Sequence, residues 1–209
     1  MSILEECKAE LLKNNFACDI VPNAMAAKEL LKDELRKLAP KTVSYADSQT
    51  LRGTGILEYC KTCEDFTFID TFNEADSFKE QIARKKEALT VDLFLTGTNA
   101  ITKNGLLVNL DMLGNRIGGI TFGPKKVILT VGRNKIVSDL EAAFQKIREY
   151  TAPRNAARHP ALKTPCITTK HCMDCSSPHR ICNSWSIIEK SYPKGRIQVV
   201  LIDEDHGIG

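Results

Sequence analysis

Two short apolar runs, residues 93–95 and 127–129, place the strongest constraint on the fold. Both are rich in residues that favour β-strands, and each is followed closely by Thr or Gly residues that signal a turn. A third run of the same kind, residues 106–109, lies between them in the chain. Polar and glycine-rich stretches fill the gaps between these runs. The block 91–131 is therefore the expected centre of the fold.

Strand and helix patterns alternate along the rest of the chain. Residues 17–21, 42–45, 66–69 and 196–202 are predicted strands. Helix starts are predicted at capping residues that precede amphipathic runs: Ser2, Asn23, Ser48, Ser77 and Ser138. This alternation predicts an α/β fold with a three-layer, mostly parallel sheet flanked by helices. We expect a single domain over 1–209, with a helical N-terminal segment at 1–40 and a Cys-rich loop at 163–185.

The composition narrows the possible functions. A chain of 209 residues with 43% hydrophobic and 26% charged residues can bury a full core. Its formal net charge of +3 is too small to indicate a nucleic-acid or membrane-surface partner. No apolar run approaches the roughly 18 residues of a membrane-spanning helix, and the first residues lack the apolar core of a secretory leader. We expect a cytoplasmic protein whose eight cysteines are thiols or metal ligands rather than disulfides.

Polar side chains cluster at the strand ends of the central block and in the loop 46–50. In an open α/β sheet such ends converge on one crevice that binds ligands, and a helix start next to it favours an anion. The chain has no glycine-rich dinucleotide or nucleotide signature, so a small anionic metabolite is the expected ligand. The candidate binding residues are Ser48, Thr50, Thr96, Thr98, Asn99, Asn115 and Arg116. The alternatives are ordinary turns and simple helix capping by Ser48.

Two charged residues of this block have candidate roles. Asp111 is a candidate general base, and the alternative is that it only bonds its own local backbone. Arg116 is suited to bind a carboxylate through two parallel hydrogen bonds, and the alternative is a surface ion pair.

Four of the eight cysteines fall within seventeen residues, in the spacing C-x5-C-x2-C-x6-C. They are Cys166, Cys172, Cys175 and Cys182. Neighbouring Pro, Ser and Thr residues indicate a loop, and four thiols in one loop suit tetrahedral zinc or an iron–sulfur cluster. His171 and His179 are possible substitute ligands. Because the spacing matches neither a zinc ribbon nor a ferredoxin, the sequence does not identify the metal. Two alternatives to a metal site are reactive thiols and buried, chemically idle cysteines. The separate pair Cys60-x-x-Cys63 lacks a thioredoxin-like context.

Several consecutive blocks resemble the LUD (lactate utilization) family. They are LTGTNA at 95–100, LVNLD at 107–111, GNR at 114–116 and FGPKKV at 122–127, while 131–137 and the cysteine segment are similar to a cysteine-bearing branch. The resemblance implies a NagB/RpiA/CoA-transferase-like fold. In related sugar-phosphate isomerases the loop after an early strand and a TGT-like turn help to bind phosphate; here these positions are 46–50 and 96–99. The chain lacks a clear catalytic carboxylate signature and a glycine-rich first loop, so isomerase or CoA-transferase activity is not implied.

The resemblance also shapes the functional hypotheses. Some members of the family act with iron–sulfur partner proteins in the oxidation of L-lactate to pyruvate. The first hypothesis is therefore a component of lactate or organic-acid oxidation with a cysteine-bound iron–sulfur or metal centre. The alternatives are an enzyme or sensor for a small anionic metabolite and a zinc-stabilised interaction module. By analogy with NagB-like relatives, a homo-oligomer is expected.

Overall fold

A computed structural model describes residues 2–209, and Met1 lies outside the described residues. Ten strands are present: β1 Ala17–Val21, β2 Thr42–Tyr45, β3 Thr67–Ile69, β4 Leu93–Thr96, β5 Ala100–Thr102, β6 Leu107–Asp111, β7 Lys126–Gly132, β8 Ile136–Val137, β9 Ser184–Ile188 and β10 Ile197–Ile202. Six of them form one sheet in the order β1-β10-β7-β4-β2-β3, and every neighbouring pair is parallel. This main sheet, flanked by helices, confirms the α/β fold that the sequence predicts.

Within the described residues, nine α-helices accompany the strands: α1 Ile3–Lys13, α2 Ala24–Leu38, α3 Gln49–Thr54, α4 Ile56–Thr62, α5 Phe78–Glu87, α6 Asn115–Thr121, α7 Leu140–Gln145, α8 Ala152–Ala157 and α9 Pro165–Thr169. A π-helical segment, Lys146–Thr151, joins α7 to α8, and short 3₁₀ turns lie at Ala88–Thr90 and Arg133–Lys135. Among residues 2–209 no helix combines the length and the apolar character that crossing a bilayer requires.

The side chains at the helix starts act as the sequence predicts in four of five cases. Ser2, Asn23, Ser48 and Ser77 each accept a hydrogen bond from a backbone N–H in the first turn, and Ser77 completes a capping box with Glu80. The fifth prediction is wrong, because Asp139 rather than Ser138 caps α7. Its carboxylate accepts from the N–H of Ala142 at 2.9 Å, and a carboxylate is at least as good a cap as a hydroxyl. The Ser138 hydroxyl instead donates to Asp139.

The main sheet is buried on both faces because its central strands are apolar at consecutive positions. Along β7, Val127 and Leu129 pack on one face, whereas Ile128 packs on the other. Apolar side chains of α2, α3 and α4 cover the face of Ile128. The opposite face packs on α1, on α6 and on strands of a second sheet. Successive residues of a strand point to opposite faces, so a parallel strand between two layers needs apolar residues at every position.

The second sheet has the order β8-β5-β6-β9. The run at 106–109 belongs here, as part of β6, and pairs antiparallel with β5 and β9. Only ten residues separate the end of β4 from the start of β6, and β5 lies within them. A parallel crossover needs about a dozen residues or more, so the chain forms a hairpin instead. β6 therefore ends beside the main sheet rather than inside it.

Candidate functional site

A cavity of about 560 Å³ lies at the carboxyl edge of the main sheet. Residues 46–49, which follow β2, and residues 98–99, which follow β4, form two of its walls. These strands are neighbours in the main sheet. The next strand of this sheet after β2 is β3, on one side, whereas the next after β4 is β7, on the other. Two connections that leave in opposite directions open a crevice at the strand ends, and this is where α/β sheets bind their ligands.

Six of the eight side chains singled out from the sequence line this cavity. They are Ser48, Thr98, Asn99, Asp111, Asn115 and Arg116. Thr50 and Thr96 are buried but do not line it. The Thr50 hydroxyl donates to the carbonyl of His206 at 3.2 Å, and the Thr96 hydroxyl donates to the carbonyl of Ala46 at 3.4 Å. These two threonines join the walls of the cavity and do not face its interior.

The two loops at the strand ends approach each other closely. A Cβ atom at Gly97 would clash with the hydroxyl of Ser48 and would come within 3.2 Å of the Thr130 carbonyl. Glycine is therefore required at this turn for steric reasons. The Ser48 hydroxyl also accepts from the N–H of Leu51 at 3.2 Å, so it acts as a helix cap, as one interpretation of the sequence expected.

Asp111 and Arg116 form a buried ion pair at the start of α6. The Arg116 Nη2 lies 2.8 Å from Asp111 Oδ1, and the two side chains are only 13% and 9% exposed. The second carboxylate oxygen, Oδ2, accepts from the backbone N–H groups of Arg116 and Ile117 at 3.0 and 3.1 Å. Asp111 thus anchors the helix start and orients the guanidinium, which is the local backbone role considered from the sequence.

The Arg116 guanidinium is further fixed by the turn after β4. Its Nη2 donates to Asn99 Oδ1 at 2.7 Å and to the Leu110 carbonyl at 2.9 Å. Asn99 Oδ1 also accepts from the N–H of Leu110 at 2.9 Å. Within residues 2–209 the Nη1 group of Arg116 makes no hydrogen bond, so this end of the fork is available to a ligand.

Lys135 is a buried lysine in the cavity wall, and it is the last residue of the 3₁₀ turn after β7. The residue is only 6% exposed, and its ammonium nitrogen donates to the carbonyl of Thr98 at 3.2 Å. No carboxylate of residues 2–209 forms a salt bridge with it. Burial, with the nearby charges of Arg116 and Lys146, lowers the pKa of Lys135 to about 7.

Cationic side chains outnumber carboxylates in the lining. The lining contains four cationic side chains, of Lys85, Arg116, Lys135 and Arg158, and two carboxylates, of Asp47 and Asp111. Asp47 is already paired with Arg52 at 2.8 Å and with Arg158 at 3.5 Å. Both aspartates are thus engaged by arginines, which leaves the positive charges of the two lysines without a carboxylate partner in the lining. The excess favours an anionic ligand.

The π-helical segment supplies part of the opposite wall. Ile147 and Thr151 line the cavity, and the Thr151 hydroxyl is buried with no hydrogen-bond partner among residues 2–209. π-Helical turns are frequent at functional sites, because the extra residue redirects side chains within a helix. An unsatisfied buried hydroxyl is costly, so a ligand oxygen at this position would relieve that cost.

Sequence reasoning missed five of the polar residues in this wall: Lys85, Lys135, Thr151, Arg158 and His159. One signal for Lys135 existed, since a lone lysine stands directly before the apolar pair Ile136-Val137. A charged residue next to buried strand positions is a candidate for a buried charge. Lys85 and Thr151 lie in helical segments, and Arg158 and His159 directly follow α8. Charged side chains at such positions are ordinarily solvated.

The four clustered cysteines lie in a mostly irregular segment that includes α9 and adjoins the cavity. All four are reduced and partly exposed. Cys182 follows Ile181, which lines the cavity, and Cys182 also packs against the core formed by the second sheet and α7. Burial, together with the nearby thiols of Cys172, Cys166 and Cys175, raises the pKa of the Cys182 thiol to about 11, and Arg180 opposes this increase.

The cysteine segment therefore has the donor chemistry of a metal site without its coordination geometry. Within residues 2–209 no three His, Cys, Asp or Glu side chains are arranged to hold a metal ion. The substitute ligands are engaged through Nδ1, which in His179 accepts from the N–H of Lys163 at 3.0 Å and in His171 lies 2.9 Å from the Thr169 carbonyl. Thiolates suit zinc or iron, but binding would require the loop to move.

The other predicted cysteine pair has no such environment. Cys60 lies fully buried in the core between α2–α4 and the main sheet, and burial raises the pKa of its thiol to about 12. Cys63 is partly exposed, 3.7 Å from the Tyr59 hydroxyl. Because Cys60 is buried, it acts as a packing residue of the core.

Comparisons with known proteins agree with the fold. The LUD domain family matches residues 4–202. Among solved structures, the crystal structure of a DUF162 family protein from Deinococcus radiodurans superposes with a TM-score of 0.54 and 12% sequence identity, covering 96% of each chain. At this identity the likeness concerns the fold alone. No curated protein matches the sequence.

Proposed function

This chain belongs to the LUD domain family, and from that premise we propose that it binds a small anionic metabolite in the cavity at the edge of the main sheet. The observation that carries the proposal is the excess of cationic groups over free carboxylates in the lining of the cavity. Ionic attraction is several times stronger in such a lining than in open water.

The lining residues have separate roles in this proposal. The free Nη1 end of Arg116 and the ammonium group of Lys135 bind the anionic group, and Asn99 and Asp111 hold Arg116 in place. Ser48, Thr98 and Asn115 shape the wall around the ligand. Asp111 as a general base stays a prediction, because this role requires it to release hydrogen bonds that it now accepts from Arg116 and Ile117.

An organic acid is the first class of ligand to test, and the role in lactate oxidation rests on the family resemblance. A thermal-shift screen of the wild-type protein should include lactate, pyruvate, sugar phosphates and acyl-CoAs. We expect at least one carboxylate or phosphate to raise the Tm of the wild type and not that of Arg116→Ala. The control is Arg84→Ala, which removes an arginine–aspartate pair outside the cavity. Equal shifts in wild type and Arg116→Ala would overturn the proposed role of Arg116.

A second candidate function concerns the four clustered thiols. Its supporting observation is that four reduced, partly exposed thiols lie in one segment with little regular structure besides α9. We propose that Cys166, Cys172, Cys175 and Cys182 hold an iron–sulfur cluster or a zinc ion when the segment closes around it. A cluster would supply electron transfer to iron–sulfur or oxidoreductase partner proteins, whereas zinc would shape an interaction surface. Free thiols of this kind fit a reducing, cytoplasmic location.

Elemental analysis after anaerobic purification tests this candidate. Iron with sulfide would support electron transfer, and stoichiometric zinc without iron would support the interaction module. Either metal should be lost in Cys172→Ser and in Cys182→Ser and kept in Cys63→Ser, a partly exposed cysteine outside the segment. Protein without metal, or metal content unchanged in all three variants, would contradict the candidate.

A further inference from the structure

The geometry of the cavity points to a covalent reaction: we propose that Lys135 forms an imine with a small 2-oxo acid whose carboxylate is bound by Arg116. This inference rests on the proposed anion-binding function, because it requires that the cavity accept a carboxylate. It goes further by assigning the amine of Lys135 to bond with the ligand carbonyl.

The Lys135 amine is placed where it can meet a ligand carbonyl. It lies in the cavity wall, is 6% exposed, and donates to a single backbone carbonyl, that of Thr98. Lys85, the other buried lysine of the lining, is placed differently. Its nitrogen donates to the Thr71 carbonyl at 2.7 Å and lies 4.4 Å from the centre of the Phe72 ring, which stabilises a cation.

The amine of Lys135 and the guanidinium of Arg116 are hydrogen-bonded to two consecutive residues. Lys135 Nζ is bonded to Thr98, and Arg116 Nη2 is bonded to the next residue, Asn99. Consecutive Cα atoms are about 3.8 Å apart, so both cationic groups are held at one turn. A 2-oxo acid, which has its carbonyl and its carboxylate on adjacent carbons, can present the first to Lys135 and the second to Arg116.

The Lys135 amine is also partly deprotonated at neutral pH. Only a neutral amine can attack a carbonyl, and enzymes obtain one by burying a lysine or placing it beside another cation. Both conditions hold here, since burial, Arg116 and Lys146 lower the pKa of Lys135 to about 7. Of the nearby carboxylates, Asp111 is paired with Arg116, and Asp205 acts on Lys146 and pairs with Arg133. At neutral pH the Lys135 side chain is therefore divided between its charged form, which attracts an anion, and its neutral form, which attacks a carbonyl.

The reaction balances without a further reactant. The nitrogen lone pair of Lys135 forms a bond to the carbonyl carbon, and the oxygen takes a proton to give a carbinolamine. The proton of this hydroxyl comes from the nitrogen. A second proton, from solvent, converts the hydroxyl to water, the carbon–oxygen bond breaks, and the nitrogen lone pair completes the protonated imine. Nothing is oxidised or reduced. Thr151, whose buried hydroxyl has no partner among residues 2–209, also lines the cavity, and we assign it as the donor to the departing oxygen.

Reductive trapping tests the proposal on the full chain. The wild-type protein is incubated with pyruvate and cyanoborohydride, digested, and searched by mass spectrometry for the reduced pyruvate adduct. We expect the adduct on the peptide that contains Lys135 and little on Lys85. Lactate, which has the carboxylate but no carbonyl, should give none. Lys135→Arg keeps the positive charge but cannot form an imine, so it should lose the adduct.

Calorimetric titration of pyruvate into untreated wild-type protein from the same preparation separates imine formation from anion binding. Binding together with an adduct on Lys135 supports both. Binding without an adduct on Lys135, or adducts spread equally over Lys85 and surface lysines, overturns the imine and leaves anion binding standing. If neither pyruvate nor any anion of the thermal-shift screen binds, both proposals fail. The wild-type site assignment does not depend on the folding of any variant.

Discussion

The cavity wall and the Cys-rich segment each contain an arginine–aspartate pair, but the two pairs differ in burial. In the cavity, Arg116 and Asp111 are 13% and 9% exposed, and backbone N–H groups complete the coordination of the carboxylate. In the segment, Arg180 and Asp174 are 25% and 70% exposed. Similar chemistry therefore gives a fixed group in one region and an adaptable one in the other.

The difference follows from how each region is assembled. The cavity wall is made by strand ends that the sheet brings together from distant parts of the chain. The four cysteines are close in sequence, and their segment has little regular structure besides α9. A site made by topology is preorganised before a ligand arrives, whereas a local loop can rearrange around a metal. The predictions below test this contrast.

The largest expected effect is on the buried aspartate. Asp111→Ala leaves the Arg116 guanidinium without its counter-ion in a buried site, which costs about 3 to 5 kcal/mol. Urea unfolding should show this loss as a lower midpoint. The matched change in the segment, Asp174→Ala, should leave the midpoint almost unchanged, because that side chain is mostly exposed. Similar losses in both variants would remove the contrast between the regions.

A second prediction concerns the pH dependence of stability. The pKa of Lys135 falls from 10.5 to about 7 on folding, so between these values the unfolded chain binds more protons than the folded one. The free energy of unfolding contributed by Lys135 therefore rises with pH across this window, and the cost of its burial is fully present below about pH 7.

Lys135→Met removes that dependence. Relative to this variant, the wild type should gain about 3 kcal/mol of stability between roughly pH 7 and pH 9.5. Chemical unfolding at several pH values measures the difference. Lys85→Met should show a smaller change, since Asp70 and Asp76 act against the lowering of the Lys85 pKa. Parallel pH profiles for wild type and Lys135→Met would argue against a buried, neutral lysine.

A smaller effect is expected from the arginine of the segment. Arg180 donates to the carbonyls of Cys175 and Cys182 at 2.6 and 3.0 Å, so it holds two of the four cysteines in place. Arg180→Ala should lower global stability by only about 1 kcal/mol. Amide hydrogen exchange between 172 and 182 should nevertheless become much faster, while exchange in β4 and β7 stays unchanged. A global increase in exchange would show that the segment is part of the core.

The last prediction needs no substitution and concerns the rates at which the cysteines of the native protein react with an alkylating reagent. Burial raises the pKa values of Cys7, Cys18 and Cys60 to about 12, and these thiols should resist iodoacetamide in the native protein. The four cysteines of the segment should react first, with Cys182 the slowest of them. Peptide mass spectrometry over time gives the order. Fast labelling of Cys60 would contradict its place in the core.

The strands and caps were predictable because their signals are local. The strands 17–21 and 42–45 were placed with the correct ends, since apolar runs and turn residues mark both boundaries. The second sheet was not predicted, because β5 and β8 have only three and two residues. Strands this short have no periodicity to detect.

The candidate site was predictable only in part, for a related reason. Asp111, Asn115 and Arg116 stand next to strong strand signals, so their position at a strand end was predictable, although the strand belongs to the second sheet. Lys135 reaches the cavity because the chain turns after β7, and Arg158 reaches it at the end of α8, which follows the π-helical segment. Thr50 and Thr96 were placed at the correct edge but turn towards neighbouring backbone, which depends on side-chain geometry that sequence spacing does not give.

The central claim is that Arg116 and Lys135, held on the turn at Thr98 and Asn99, form one anion-binding unit. Calorimetric titration of pyruvate and of inorganic phosphate into the double variant Arg116→Gln/Lys135→Met tests it most directly. Wild-type protein and the control Arg84→Gln/Lys125→Met, whose two cations pair with carboxylates outside the cavity, are titrated alongside. The account predicts that wild type and control bind at least one of the two anions and that the double variant binds it at least tenfold more weakly, roughly the value of one charged hydrogen bond. Equal affinity in all three proteins would contradict it.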